Sequence, residues 1–444
     1  MKPSKRPEQI DLLPHVGKWI LLSLGVAALA GSASALFLIA LDWATATRNS
    51  HRWLIALLPL AGFAVGWCYL KFGQPVEAGN NLLIDEIHDP KKVVPLRMAP
   101  LVLGGTVISH LFGASVGREG TAVQMGGALA DQLTHLFRLR HEERRIILMA
   151  GISAGFASVF GTPLAGAIWG LEVLAIGRLR YDALLACMVA AIVGDQVCSL
   201  WGVHHTHYVI AQIPGVTAWS LFAMVLAGIV FGLTGKLFAD ATHALGGGVR
   251  TLIQYAPLRP MLGGAVLAAL ILYFGADRYI GLGIPVIQEA FLSPLPAHDF
   301  IAKLGFTVFS LGFGFKGGEV TPLFYIGATL GNALAPLLDL PFPLLAGVGF
   351  VAVFSGASNT PIASTLMAME LFGAEVGVYA GIACVISYLF SGHSGIYRSQ
   401  RVGQAKHRPA PEGMKLGDLP AYRKRMLADA RRQDGMDVEK DAQP

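Results

Sequence analysis

Apolar runs alternate with short polar breaks along most of the chain. They fall at roughly 19–43, 53–70, 99–113, 146–160, 163–177, 183–201, 217–239, 261–274, 300–315, 320–338, 343–355, 361–373 and 377–391. A helix needs about 20 apolar residues to cross a bilayer, and many of these runs are shorter. Gly or Gly-Pro interrupts several. At membrane depth such loose backbone is tolerated only where protein buries it or where it lines a cavity. The pattern predicts an all-α polytopic membrane protein whose broken helices surround a pathway.

A repeat orders the runs. Thr162-Pro163-Leu164-Ala165 with Glu172 reappears as Thr360-Pro361-Ile362-Ala363 with Glu370, 198 positions on in both cases (163 to 361, 172 to 370). Gly117-Arg118-Glu119-Gly120-Thr121 before Gly127-Ala128 has its counterpart in Gly317-Gly318-Glu319-Val320-Thr321 before Gly327-Ala328. Gly79-Asn80-Asn81-Leu82-Leu83 with Glu86 pairs with Gly281-Leu282-Gly283-Ile284-Pro285 with Glu289. Three landmarks in one order predict a cytoplasmic N-terminus over 1–18, membrane repeats over 19–215 and 216–398, and a charged cytoplasmic tail over 399–444. If each repeat crosses the membrane an odd number of times, the two run in opposite senses. Inverted halves place a substrate site at their interface near the midplane.

Composition agrees. The chain is 54% hydrophobic and 14% charged, where soluble domains carry roughly 25% charged residues, and its mean hydropathy is +0.55. The net charge of +5 resides at the ends and in a few loops, so no nucleic-acid partner is expected. Cys68, Cys187, Cys198 and Cys384 sit singly in apolar segments and read as small hydrophobes, with no disulfide or metal framework. The first apolar run is too long for a signal peptide. Lys2, Lys5 and Arg6 at one end, and Arg401, Lys406, Arg408, Lys415, Arg423, Lys424, Arg425, Arg431 and Arg432 at the other, predict both termini in the cytoplasm. The tail itself reads as a frayed helix or disordered.

The glycine-rich landmarks are where chemistry can sit. A helix that begins in such backbone presents unpaired N–H groups and the positive end of its dipole. Several starts converging at the midplane make an anion site without a full positive charge, from which an anion can still leave quickly. Glu119 is the leading candidate, because an ionisable group inside a membrane segment is costly and usually functional. Arg118 beside it neutralises carboxylates or anchors the loop. Asn80 offers amide donors or an ordinary helix cap. Glu172 and Glu370 read as structural ties between helix ends. His204-His205-Thr206-His207 is read as having no nearby carboxylate or cysteine partner and as a solvated loop, and the charged run from Arg138 to Arg145 as a soluble loop with capping. No metal site, nucleophilic triad or phosphate loop is present, so an enzyme is not expected. A tail of about 45 residues is also a poor sensor output domain.

Gly117-Arg118-Glu119-Gly120, Gly317-Gly318-Glu319-Val320-Thr321-Pro322 and Gly281-Leu282-Gly283-Ile284-Pro285 together resemble the CLC family of chloride channels and anion/proton antiporters, over about residues 20–398. The resemblance implies an inverted-repeat fold, a homodimer with one pathway per subunit, residence in the cell inner membrane and no cofactor. It makes Glu119 the gate that alternates between anion mimic and proton carrier. Chloride-transporting members usually carry Ser where this chain has Asn80 and apolar residues where it has Glu319 and Thr321, and the common chloride/proton exchangers carry an inner relay Glu where it has Val173. Asn80, the Gly318-to-Pro322 stretch and Thr121 after the gate instead resemble the bacterial fluoride/proton antiporter branch. Leu83 is aliphatic where some of these exporters place an aromatic ring.

The anion-binding set implied is Asn80, Gly117, Arg118, Gly120, Val320, Thr321 and Tyr397, with the Val320 amide facing the ion, Thr321 bonding it, Tyr397 near the cytoplasmic end and Glu319 handling protons. The expected function is proton-coupled fluoride export that confers fluoride resistance. The alternative is a chloride or other anion/proton exchanger, or a passive anion channel, of the same family.

Overall fold

The computed structural model describes residues 8–440. Lys2, Lys5 and Arg6, and the side chains of Arg431 and Arg432, lie outside the described residues. The first eight helices are α1 (Glu8–Ser50), α2 (Leu58–Phe72), α3 (Asn80–His88), α4 (Met98–Leu111), α5 (Glu119–Leu136), α6 (His141–Phe160), α7 (Pro163–Glu172) and α8 (Leu184–Leu200). Eight more follow in matching order: α9 (Ala218–Leu252), α10 (Leu258–Phe274), α11 (Ile284–Glu289), α12 (Asp299–Gly312), α13 (Val320–Leu338), α14 (Phe342–Ser358), α15 (Pro361–Phe372) and α16 (Gly377–Phe390). A last helix, α17 (Leu419–Lys440), lies beyond them. Among the described residues, five spans are long and apolar enough to cross a membrane, while α4, α10, α14, α15 and α16 are shorter and apolar.

The halves pack alike. In the first, α1 lies against α6 and α8, and α5 against α6; in the second, α9 lies against α14 and α16, and α13 against α14. Small residues let these helices approach, as expected where lipid supplies no hydrophobic drive for association. A Cβ added at Gly126 would stand 2.3 Å from the Gly151 carbonyl oxygen, and one at Gly327 2.0 Å from that of Gly349. Between the halves, α2 meets α10, α7 meets α15, and the starts of α5 and α13 touch.

The α7–α15 contact shows the two-fold relation most directly. Both helices open with Pro at the first turn, where a missing N–H costs nothing, after left-handed residues that end α6 and α14: Gly161 at φ 71° and Asn359 at φ 60°. Glu172 accepts the amides of Ile362 and Ala363 at 3.1 and 2.8 Å. Glu370 accepts those of Leu164 and Ala165 at 2.9 and 2.8 Å. Each half caps the other's helix, which is the structural tie expected of these two carboxylates.

Several expectations change. Helices α3, α5 and α11 fall outside the predicted apolar runs, because Glu119, Gln124, Asp131 and Gln132 break the hydrophobic pattern of α5 and the other two are short. The charged run from Arg138 to Arg145, which continues into α6, is not wholly solvated: Arg144 is buried and pairs with Asp131 at 2.8 Å and Glu86 at 2.9 Å. His205 does have a carboxylate, Asp195 of α8, 3.5 Å away, although no group of three metal-ligating side chains occurs among the described residues. The segment after α16 is an ordered strap. Strand β1 (Ala175–Ile176) pairs in parallel with β2 (Arg401–Val402). Buried Gln400 donates to the carbonyls of Val173 and Ser358 and accepts from Asn359.

Candidate functional site

The starts of α5 and α13 are joined before any side chain is placed. Gly117 and Gly318 form an isolated antiparallel bridge, with N–H···O distances of 2.6 Å from Gly117 and 2.8 Å from Gly318. Glycine is required here for clearance. A Cβ on Gly318 would lie 2.7 Å from the Gly120 nitrogen, and one on Gly117 2.9 Å from the Gly318 oxygen. The bridge sets the register that lets the first residue of α5 reach the first turn of α13.

That first residue is Glu119, 0% exposed. Its Oε2 accepts the Thr321 backbone N–H at 3.0 Å and the Arg118 N–H at 3.2 Å. Its Oε1 accepts the Thr321 hydroxyl and lies 3.4 Å from Arg118 Nε. The carboxylate therefore sits among backbone amides, a hydroxyl and a guanidinium, the donor set an anion requires. The expected convergence of Glu119, Arg118, Gly117 and Thr321 is present. The amide that meets the carboxylate is that of Thr321, in the first turn of α13. Thr121 does not join the site; its hydroxyl bonds that of Thr106 on α4 at 2.6 Å.

Cavities approach this point from two sides. A cavity of about 630 Å³ is lined by Asn80, Gly317, Glu319 and Tyr397, among others. A second, of about 20 Å³, is lined by Arg118, Thr206, Tyr208 and Thr321 and has room for little more than one water. Thr321, which bonds Glu119, lines the smaller cavity. On the larger side, Asn80 Nδ2 is 3.2 Å from the position a Cβ on Gly120 would take, and Glu319 Oε2 is 3.8 Å from it. Asn80 is the first residue of α3, after Gly79 at the N-cap; its Oδ1 is buried without a partner. Tyr397 is buried edge-on against Trp169 at 6.1 Å between ring centroids. It shares the larger cavity with Asn80 and Glu319 and makes no hydrogen bond to Glu119 among the described residues. Leu83 packs toward Gly127 on α5 and does not line the cavity.

The strap holds this wall in place. Ser399 donates its N–H to Asn81 at 2.9 Å and its hydroxyl to Asp85 at 3.0 Å, while Lys415 pairs with Asp85 at 2.6 Å. These contacts tie Tyr397 to the helix that begins at Asn80. Nothing in the local sequence signals them, since the partners are more than 300 positions apart.

Comparison with known proteins gives a concordant picture. The family described as voltage gated chloride channel matches residues 61–392. A "Chloride/fluoride channel protein" of Pseudomonas syringae pv. tomato is 67% identical over 429 residues, covering 95% of both chains. The crystal structure of a CLC-type fluoride/proton antiporter superposes with a TM-score of 0.85 at 34% identity, covering 87% of this chain and 98% of that one. A slow cyanobacterial Cl⁻/H⁺ antiporter superposes with a TM-score of 0.75 at 20% identity, covering 84% of this chain and 94% of that one, a likeness of fold alone.

Proposed function

This chain belongs to the voltage gated chloride channel family, and from that premise we propose that it exports fluoride in exchange for protons and so confers fluoride resistance. The observation that carries the reading is the buried Glu119 carboxylate bonded by the amide and hydroxyl of Thr321 at the meeting of two helix starts. A carboxylate held in this way occupies the donors a small anion would use. Protonation removes its charge and one acceptor, so fluoride competes for the Thr321 donors and the acid swings aside. One group thus exchanges proton for anion at a single place. Hydrogen fluoride is a weak acid that enters neutral and ionises inside, so expelling the anion against an inward proton uses the existing gradient.

Fluoride is favoured over chloride by hard, compact donors: the Thr321 hydroxyl, and the Asn80 amide beside Gly120. Glu319 and Tyr397, on the wall of the larger cavity, supply proton handling and the inner end of the anion path. Gly117, Gly120 and Val320 contribute backbone. The larger cavity opens to the cytoplasm in this reading, because Arg250, Arg259 and Arg398 line it and basic residues favour that side. Both termini then lie in the cytoplasm of a cell whose inner membrane holds a homodimer, one pathway per subunit, with no cofactor and no enzymatic step.

The Pseudomonas relative's name couples chloride with fluoride, which keeps a chloride exchanger or channel as the second reading. Purified protein in liposomes separates the two. Fluoride efflux followed by electrode, with and without a pH gradient, should far exceed chloride efflux and should move protons inward. Equal chloride flux, or flux indifferent to the pH gradient, would reverse the choice.

A further inference from the structure

Lys316 stands immediately before the Gly317-Gly318 crossing and lines the larger cavity. Its Cβ and Cγ pass beside Gly105 of α4, where a Cβ would meet them at 3.0 and 3.2 Å. Its Nζ lies 4.1 Å from the centre of the Tyr69 ring. Among the described residues it donates no hydrogen bond and pairs with no carboxylate. The other inward-facing basic side chains are otherwise engaged or peripheral. Arg259 donates to the carbonyls of Ile253 and Gln254, and Arg250 is exposed near the end of α9. The charged groups within electrostatic reach of Lys316 are Glu77, Arg250 and Arg259.

An ammonium held by one aromatic face keeps N–H donors that no oxygen has taken. A cleft with low-dielectric walls also strengthens the field of a charge placed in it. Lys303 gives the contrast. It too lies over an aromatic ring, that of Tyr325, but it is fully buried and its Nζ donates to the carbonyls of Tyr279 and Gly281 at 3.0 and 2.7 Å. Lys303 ties loops together, whereas Lys316 faces open volume.

We propose that Lys316, backed by Arg250 and Arg259 nearer the rim, forms a loading subsite for a small anion in the larger cavity, ahead of the Glu119–Thr321 position. The subsite gathers dilute anion and hands it on; Lys316 is the one ammonium at its inner end, and the two guanidiniums of Arg250 and Arg259 share the same cavity. This deepens the transport reading and rests on it.

The test is anion flux through Lys316→Gln and Lys316→Arg in proteoliposomes, measured against anion concentration on the cavity side. Lys316→Gln should raise KM about fivefold while leaving the maximal rate within about twofold and the proton-to-anion ratio unchanged. Lys316→Arg should restore KM. A KM unmoved by Lys316→Gln, or a loss confined to maximal rate, overturns the subsite. Should neither variant insert, the wild type decides. Between about 0.01 and 0.1 M inert salt the Debye length falls from roughly 30 to 10 Å, so its KM must rise, and a flat KM overturns the proposal. Running the series with both fluoride and chloride separates this inference from the previous one. A shift seen with chloride as the carried ion keeps the subsite and removes the fluoride reading.

Discussion

The Glu119 carboxylate, first residue of α5, accepts the backbone N–H of Thr321 in the first turn of α13 at 3.0 Å, across 202 positions of chain. One half brings the ionisable group with the Arg118 donors beside it, and the other brings the Thr321 amide and hydroxyl.

Replacing Glu119 by Gln keeps the shape and removes the titration. Proton movement driven by a fluoride gradient should vanish in liposomes, as read by a pH-sensitive dye. Persisting coupled proton flux would remove Glu119 from the mechanism.

Thr321→Val deletes the hydroxyl donor but leaves the amide that also reaches Glu119. A hydrogen bond to a charged acceptor contributes about 1.5–3 kcal/mol, and about 1.4 kcal/mol corresponds to tenfold in rate. Fluoride turnover should fall by about tenfold or more, and preference over chloride should shrink. An unaltered fluoride-to-chloride ratio in electrode assays would show that the hydroxyl does not discriminate.

Glu172→Ala and Glu370→Ala should act on stability alone. Each uncaps two amides of the opposite half, a loss of about 1–2 kcal/mol per helix start. Both variants should unfold at lower temperature in detergent, and the surviving protein should keep its proton-to-fluoride ratio. A changed ratio with unchanged melting would contradict the capping role.

Gly318→Ala tests the crossing itself. Its Cβ would stand 2.7 Å from the Gly120 nitrogen, backbone that cannot step aside, at a cost of about 3 kcal/mol or more. Monodisperse, active protein is not expected. Gly247→Ala is the control: nothing lies within 4 Å of that position on α9, and alanine favours a helix by about 1 kcal/mol. Equal behaviour of the two variants by size-exclusion chromatography would mean the close approach is not required.

Much of the architecture is legible because the lipid environment leaves few solutions. Short, glycine-broken apolar runs must line a protein interior, and the repeated Thr-Pro starts with Glu172 and Glu370 locate the two halves. Helix α5 escapes that reading, because Glu119, Gln124 and Asp131 make it look polar when neighbouring helices in fact bury it. Lys316 escapes as well, since a single lysine beside Gly-Gly looks like a loop charge until the cavity around it is seen.

The linear chain by itself determined the membrane solvent, the duplication, and the candidacy of Glu119, since an intramembrane carboxylate needs a reason wherever it lies. Folding decided which amide meets that carboxylate, that Thr121 turns to Thr106 rather than to the site, and that Ser399 and Lys415 fasten the helix beginning at Asn80. Those outcomes depend on register between segments hundreds of residues apart. Register is set by close contacts such as Gly117 on Gly318, whose partners no local periodicity encodes.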